Sequence, residues 1–143
     1  MESVVIDRIL KKNCSIYLGV YASDELPVIK STRHVIVVNT DPASRPGKHW
    51  ICMYFDGKGR GEYFDSFGLP PKRTFKSYLD KHCTSWTFNN KRMQSVVSKF
   101  CGHYCIWYCM MKNRNVVLRE LVKTMTNDTG LNDFLVHRFA CKL

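Results

Sequence analysis

The stretch QSVVSKFCGHYCIWYCMMK spans residues 94–112 and contains the longest apolar run of the chain. Residues 104–111 form that run, which is far too short to cross a membrane but suits a helix buried in a protein core. We therefore expect a helix over residues 102–112. Cys105 and Cys109 lie four positions apart, so this helix should place them on one buried side.

The segments around this helix predict an α+β fold with a mostly antiparallel central sheet flanked by helices. Further helices are expected over residues 3–12, 72–81, 115–125 and 130–140, and strands over 34–38, 49–55, 62–67 and 83–88. The strands cluster in the middle of the chain, where the glycine-rich segment DGKGRG (56–61) predicts a hairpin turn. No repeat or linker interrupts the pattern, so residues 1–143 are expected to form a single domain.

The composition restricts the cellular setting and the partners. The first residues include Glu2 and Asp7 and no continuous apolar segment, so no secretory signal is expected and the seven cysteines should be reduced thiols. No membrane association is expected. Lys and Arg total 22 against 12 acidic residues, a net charge of +10 that favours binding to polyanions such as DNA. The basic residues are scattered, however, which also suits a solvated surface.

Cys101 is the candidate nucleophile. A thiol at a helix N-terminus lies beside free N–H groups and positive partial charge, which lower its pKa and favour the thiolate. Gly102 leaves room for a substrate carbonyl to approach the backbone. Taken alone, Cys101 could equally be a core cysteine, because free cysteines are among the most buried residues. Its assignment therefore depends on its neighbours in space.

His49 is the candidate general base, at the start of a predicted strand. The hairpin turn pairs residues whose numbers add up to about 115 or 116, so His49 should face residues 66–67. Asp65 is then a near neighbour on the adjoining strand, where a carboxylate can orient an imidazole and stabilise its charged form. Glu62 should pair near residues 53–54, well away from His49, so Asp65 is the preferred partner.

Gln94 precedes Cys101 by seven residues, in the loop that enters the helix. Acyl transfer to a thiol needs hydrogen-bond donors for the oxygen that becomes negative. The side-chain amide of Gln94, together with the backbone N–H of Cys101, would supply them. In isolation a loop glutamine more often faces solvent.

Three segments, in chain order, resemble a known family. They are HW (49–50), FDSFG (64–68) and Q-x3-S-x2-CGHYC (94–105). The set resembles the adenovirus-type cysteine endopeptidases, including relatives encoded by Maverick/Polinton-like elements and adintoviruses, and more distantly the SUMO- and Nedd8-specific proteases. The segment CSIYLGVY (14–21) is similar to one that precedes the first strand in this family, so the resemblance covers nearly the whole chain.

The resemblance implies a role for each matching residue. His49 would be the general base, oriented by Asp65, while Cys101 attacks a peptide carbonyl and Gln94 holds the oxyanion. Adenovirus enzymes have glutamate where this chain has Asp65, whereas the transposon and SUMO branches have aspartate. The chemistry requires no metal or cofactor. Trp50 would line the substrate cleft, although a core tryptophan beside His49 is equally compatible with the sequence.

The resemblance also implies substrates and activators. Adenovirus enzymes cleave capsid and core precursors after Gly-containing motifs, and are stimulated by DNA and by a short viral peptide that forms a disulfide with an enzyme cysteine. Cys83 lies at a comparable interval before Gln94 and is the candidate for that contact, unless it is a simple strand cysteine. The expectation is a monomeric intracellular enzyme, found in the virion and in the host nucleus or cytoplasm.

Three alternatives stay open. The same residues suit an isopeptidase that removes ubiquitin-like modifiers, because both substrate classes present glycine at the cleaved bond. The net charge alone suits a non-catalytic DNA-packaging protein. A structural zinc site would draw on Cys101, His103, Cys105 and Cys109, but on one helix His103 lies about 200° around from Cys101, so these ligands diverge unless the helix is broken.

Overall fold

Five strands form one mixed sheet in the order β1-β2-β3-β4-β5, in a computed structural model that describes residues 1–143. The strands are β1 Tyr17–Tyr21, β2 His34–Asn39, β3 Trp50–Phe55, β4 Arg60–Phe64 and β5 Ser85–Phe88. The helices are α1 Ser3–Asn13, α2 Arg73–His82, α3 Cys101–Asn113, α4 Leu118–Thr124 and α5 Thr129–Cys141. The predicted α+β class is confirmed, and every predicted helix is present within a few residues of its expected bounds.

The sheet is antiparallel at its centre and parallel at both edges. β3 pairs antiparallel with β2 and with β4, whereas β1 runs parallel to β2 and β5 runs parallel to β4. Tyr54 faces Glu62 and Phe55 faces Gly61, which is the register predicted from the hairpin. This register places the end of β4 beside the residue that precedes β3.

The segment 14–21, expected to precede the first strand, contains a strand itself. β1 lies within it and pairs with β2 at one edge of the sheet. Gly19 is the only buried residue of β1, and Leu18 is exposed. An edge strand with so little buried apolar surface lacks the alternating pattern from which a strand is predicted.

β4 begins and ends earlier than predicted, because the hairpin turn is tighter. Gly57 and Gly59 both adopt positive φ angles, of 80° and 95°, which glycine tolerates and other residues rarely do. The chain therefore reverses within fewer residues, and pairing resumes at Arg60. Asp65 consequently lies not on a strand but in the turn that follows β4, where the N–H of Gly68 donates to its carbonyl at 2.8 Å.

α3 is the central helix of the fold and is buried on nearly all sides. It packs against β2 and β3 on one side and against α1 and α5 on the other. Cys105 and Cys109 are fully buried, as predicted, and the sulfur of Cys109 lies 3.9 Å from that of Cys52 in β3. Such a helix gains its stability from burial of apolar surface rather than from an amphipathic stripe.

None of the five helices combines the length and apolar character that a membrane span requires.

A buried ion pair ties α3 to β4 on the side away from Cys101. The ammonium of Lys112 lies 3.1 Å from a carboxylate oxygen of Glu62 and donates to the carbonyl of Val116 at 2.9 Å. The hydroxyl of Tyr108 donates to the other oxygen of Glu62 at 2.6 Å. Glu62 therefore serves the core, and the choice of Asp65 over Glu62 as the partner of His49 agrees with this arrangement.

Replacing Glu62 by alanine should destabilise the fold strongly, because it leaves the Lys112 charge buried without a counterion. We expect a loss of about 3 kcal/mol in the free energy of unfolding, measured by urea titration. Lys76→Ala is the control, since the Lys76–Asp80 pair on α2 is exposed and should contribute less than about 1 kcal/mol. Equal losses in the two variants would contradict a structural role for the buried pair.

Candidate active site

His49 and Asp65 meet at the end of the hairpin. Nε2 of His49 lies 2.8 Å from Oδ1 of Asp65, and the N–H of Phe67 donates to the same oxygen at 2.9 Å. The ring of Phe67 stacks on the imidazole, with 4.9 Å between ring centroids. His49 is the residue immediately before β3 rather than its first member. The imidazole is thus held by a hydrogen bond to Asp65 at one edge and by stacking on the ring of Phe67.

The turn that carries Asp65 is itself fixed by Asn89, a residue that sequence reasoning missed. Oδ1 of Asn89 accepts from the N–H of Asp65 at 3.0 Å, and its amide nitrogen donates to the carbonyl of Asp65 at 2.6 Å. Asn89 follows directly after β5 and is fully buried. Nothing in the sequence distinguishes it from its neighbour Asn90, because the contact depends on the parallel pairing of β5 with β4.

Cys101 is the first residue of α3, as predicted, and faces His49. Burial by itself would raise the pKa of the Cys101 thiol, but hydrogen bonding to His49, with further contributions from the backbone N–H groups of Trp50 and Gly102, holds it below the ordinary value. Burial likewise lowers the pKa of His49, but the interactions with Asp65 and Cys101 outweigh it and raise that pKa to about 9. Both shifts favour a thiolate–imidazolium pair near neutral pH.

Gln94 lies on the same cleft as Cys101 and is buried rather than facing solvent. Its Nε2 donates to the carbonyl of Ser98 at 3.0 Å, and its Oε1 accepts from the hydroxyl of Ser66 at 2.6 Å. The amide is therefore held at both ends. The structure thus brings together His49, Asp65, Gln94 and Cys101, the four residues predicted to form the site.

The loop around Gln94 is anchored by polar residues of α5 that the sequence did not reveal. The carbonyl of Met93 accepts from the amide of Asn132 at 3.1 Å, and the N–H of Ser95 donates to Asp133 at 3.3 Å. The hydroxyl of Tyr104 in α3 lies 2.7 Å from Oδ1 of Asp133 and 2.9 Å from the Met93 carbonyl, so its single proton is shared between these two acceptors. Three apolar residues of the same helix are exposed: Leu131, Phe134 and Leu135.

A cleft of about 870 Å³ runs past His49, Gln94 and Cys101, whereas Asp65 contacts the imidazole without lining the cleft. Trp50 lines it, as predicted, and the indole N–H donates to the carbonyl of Met1 at 3.1 Å. Gly102 packs closely against the N-terminal segment: a Cβ at this position would lie 3.1 Å from Met1 and 3.3 Å from Ile6. Glycine at this position lets α1 approach α3, and the expected contact of its backbone with substrate stays a prediction.

The predicted activator contact and the alternative zinc site are the two remaining features from the sequence analysis. Cys83 follows α2 and does not line the cleft. It packs against a cluster of buried apolar residues that includes Phe75 and Leu79 of α2, and burial is the main cause that raises its pKa to about 11. His103 contacts Phe100 and His137, whereas the sulfur of Cys109 faces the core at Cys52. The proposed zinc ligands therefore diverge on an unbroken helix, as the helical geometry requires.

Iodoacetamide at pH 7 should modify Cys101 before the other cysteines, because alkylation requires the thiolate. The pKa of Cys101 is lowered, whereas burial raises that of Cys105 to about 11. Mass spectrometry of peptides over a time course measures the order. His49→Ala should slow alkylation of Cys101 at least about tenfold, since it removes the group that stabilises the thiolate.

Cys141 is the appropriate control, because it is the only exposed cysteine of the seven. Cys141→Ser should leave the rate at Cys101 unchanged. Faster labelling of Cys141 or Cys83 than of Cys101 in the unmodified chain would contradict an activated thiol at the start of α3.

No protein-family model matches the chain. The chain is 31% identical over 116 residues to the cysteine protease of African swine fever virus, an alignment covering 72% of this chain and 42% of that protein. The same protein from another isolate, 30% identical, is named a SUMO-1 cysteine protease. The chain thus spans less than half the length of the curated relatives it matches.

Solved structures show the same fold. A crystal structure of the African swine fever virus protease matches with a TM-score of 0.65 and 21% identity, covering 95% of this chain and 66% of that one. The SUMO protease Ulp1 matches with a TM-score of 0.53 and 12% identity, covering 99% and 78%. The chain is therefore similar in sequence to a viral cysteine protease and shares the fold of that enzyme and of Ulp1, without a specific link to the adenovirus-type enzymes.

Proposed function

We propose that this protein is a cysteine protease that cleaves peptide bonds through a thioester intermediate. The observation that carries the proposal is the placement of Cys101, at the N-terminus of a buried helix, against an imidazole that Asp65 holds at 2.8 Å. A structural cysteine has no need of a lowered pKa, an oriented base and an amide donor on one cleft.

The arrangement supports a two-step acyl transfer. The Cys101 thiolate would attack the scissile carbonyl, and the amide of Gln94 with the N–H of Cys101 would hold the oxyanion. The His49 imidazolium would then protonate the leaving amine, which releases it and leaves a thioester on Cys101. Neutral His49 would next take a proton from water, which attacks the thioester and frees the thiolate. Asp65 stabilises the charged imidazole throughout.

Precursor proteins of a viral or mobile-element capsid and core are the proposed substrates. The likeness to a viral cysteine protease and to the adenovirus-type motifs supports this choice. An isopeptidase acting on ubiquitin-like modifiers is the second candidate, favoured by the name of the relative from another isolate. The four site residues serve either reaction, because both form the same thioester.

DNA binding and peptide activation remain predictions. The net charge of +10 supports an affinity for DNA. Cys83 is half-buried, and its raised pKa makes it slow to form a disulfide unless a bound peptide alters its surroundings. A non-catalytic packaging protein would also bind DNA, but it gives no reason for a thiol and an imidazole placed together.

Cys101→Ala should abolish cleavage while leaving DNA affinity intact, which separates a protease from a packaging protein. Gln94→Ala should lower kcat by about 10²–10³, the loss typical of one oxyanion donor. Both variants are assayed on a Gly-containing precursor peptide and on a fluorogenic substrate bearing a ubiquitin-like C-terminus. We expect faster turnover of the precursor peptide, and the reverse preference would favour the isopeptidase.

Cys141→Ala serves as the control for removal of a cysteine, since Cys141 is exposed and lies outside the cleft. It should retain wild-type turnover. Cleavage by Cys101→Ala, or DNA binding without cleavage by any form of the chain, would refute the protease assignment.

The pH profile of kcat/KM should fall on the alkaline side near pH 9. The pKa of His49 is raised from 6.5 to about 9, so its charge persists above neutral pH and is lost as the pH rises through that value. On the acid side activity should fall as Cys101 is protonated, below its ordinary pKa of 9.0. Asp65→Asn keeps a hydrogen-bonding group but removes the charge, so the alkaline limb should move toward lower pH. An unmoved limb would show that Asp65 does not act on His49.

A further inference from the structure

We infer that Ser66 is the residue that orients the oxyanion donor, an inference that rests on the proposed function. Ser66 is almost fully buried and lies between Asp65 and Phe67, outside the four residues assigned to the site. Its hydroxyl donates to Oε1 of Gln94 at 2.6 Å, which is a short bond between two buried side chains. No other side chain of the protein donates to that oxygen.

The bond matters because an amide has two different ends. With Oε1 of Gln94 occupied by Ser66, Nε2 points the other way and donates one proton to the carbonyl of Ser98 at 3.0 Å. An amide nitrogen carries two protons, so one remains for an oxyanion in the cleft. If the amide turned over, its oxygen would replace its nitrogen and repel a negative charge. The Ser98 carbonyl can only accept, so it favours the orientation with Nε2 toward it, and the Ser66 hydroxyl stabilises that orientation by donating to Oε1.

The backbone of Ser66 also fixes the position of Gln94. Its carbonyl accepts from the N–H of Met93 at 2.9 Å and from the N–H of Gln94 at 3.0 Å. Gly68 permits this close approach, because it has a φ of 73° and a Cβ there would lie 2.6 Å from the backbone of Lys91. Ser66 therefore meets Gln94 at a fixed distance through both backbone and side chain.

Asp65 and Ser66 consequently act on different halves of the site. Asp65 holds the imidazole of His49, and the next residue holds the amide of Gln94. Loss of the Ser66 hydroxyl should therefore impair oxyanion stabilisation and leave the thiolate–imidazolium pair untouched. A hydroxyl that merely fills space in the core would affect both equally, through the stability of the fold.

Ser66→Ala tests the inference in three readouts. We expect kcat on the cleaved peptide to fall about tenfold with KM nearly unchanged, as for loss of one buried hydrogen bond. The rate and pH dependence of iodoacetamide alkylation at Cys101 should match the wild type. In a Gln94→Ala background the Ser66→Ala change should cost little more, because the donor that it orients is already gone. Additive losses, or a wild-type kcat, would overturn the inference.

Ser66→Thr and Ser66→Val form a matched pair in case the alanine variant folds poorly. The two side chains have nearly the same shape, so crowding affects both and only the hydroxyl differs. Threonine should retain at least about fivefold more kcat than valine, and equal activity would overturn the inference. If the wild type cleaves nothing, the proposed function fails; if the wild type cleaves and the pair does not differ, only the role of Ser66 fails.

Discussion

The site depends on the docking of one buried helix across a sheet. α3 packs on β2 and β3 with nine of its thirteen residues buried, so its N-terminus cannot shift without disturbing the core. Cys101 is the first residue of that helix, and His49 immediately precedes β3. Packing of apolar surface therefore sets the distance between thiol and imidazole, and the charge interaction between them forms within a geometry already fixed by the core.

The turn after β4 positions the other two groups of the site, the Asp65 carboxylate and the Gln94 amide. The turn after β4 bends back sharply, and Asn89 holds the backbone of Asp65 on both sides with two hydrogen bonds. The same turn binds the Gln94 loop through Ser66. The loop is in turn anchored by Asp133 of α5. Each group of the site is therefore supported by polar contacts from an element other than its own, which is how an enzyme limits reorganisation during reaction.

The sequence predicted the features that depend on local periodicity. The pairing of His49 with Asp65 followed from hairpin arithmetic, because a two-residue period leaves little freedom once a turn is located. The buried stripe of Cys105 and Cys109 followed from helical spacing. The turn itself was placed too long, since sequence shows that glycine permits a tight reversal but not how tight the reversal is.

Contacts between distant segments were beyond such reasoning. Asn132 and Asp133 are polar residues of a predicted helix, so the sequence alone would place them at the surface. In the structure both are buried under the Gln94 loop. Their burial depends on how α5 meets α3, which no local pattern encodes. Leu131 and Phe134 show the converse, since they are apolar residues of the same helix and the structure exposes them. The inner face of this helix consists instead of Asn132, Asp133, Val136 and Ala140.

The two carboxylates near the end of the hairpin show why acidic character alone does not identify a catalytic partner. Glu62 accepts hydrogen bonds from Tyr108 and Lys112 within the core, so both of its carboxylate oxygens are engaged there. Asp65 instead faces His49, whose proton can be given up and regained during the reaction. Because His49 lines the cleft and can change its protonation state, it transmits the effect of the Asp65 charge to Cys101.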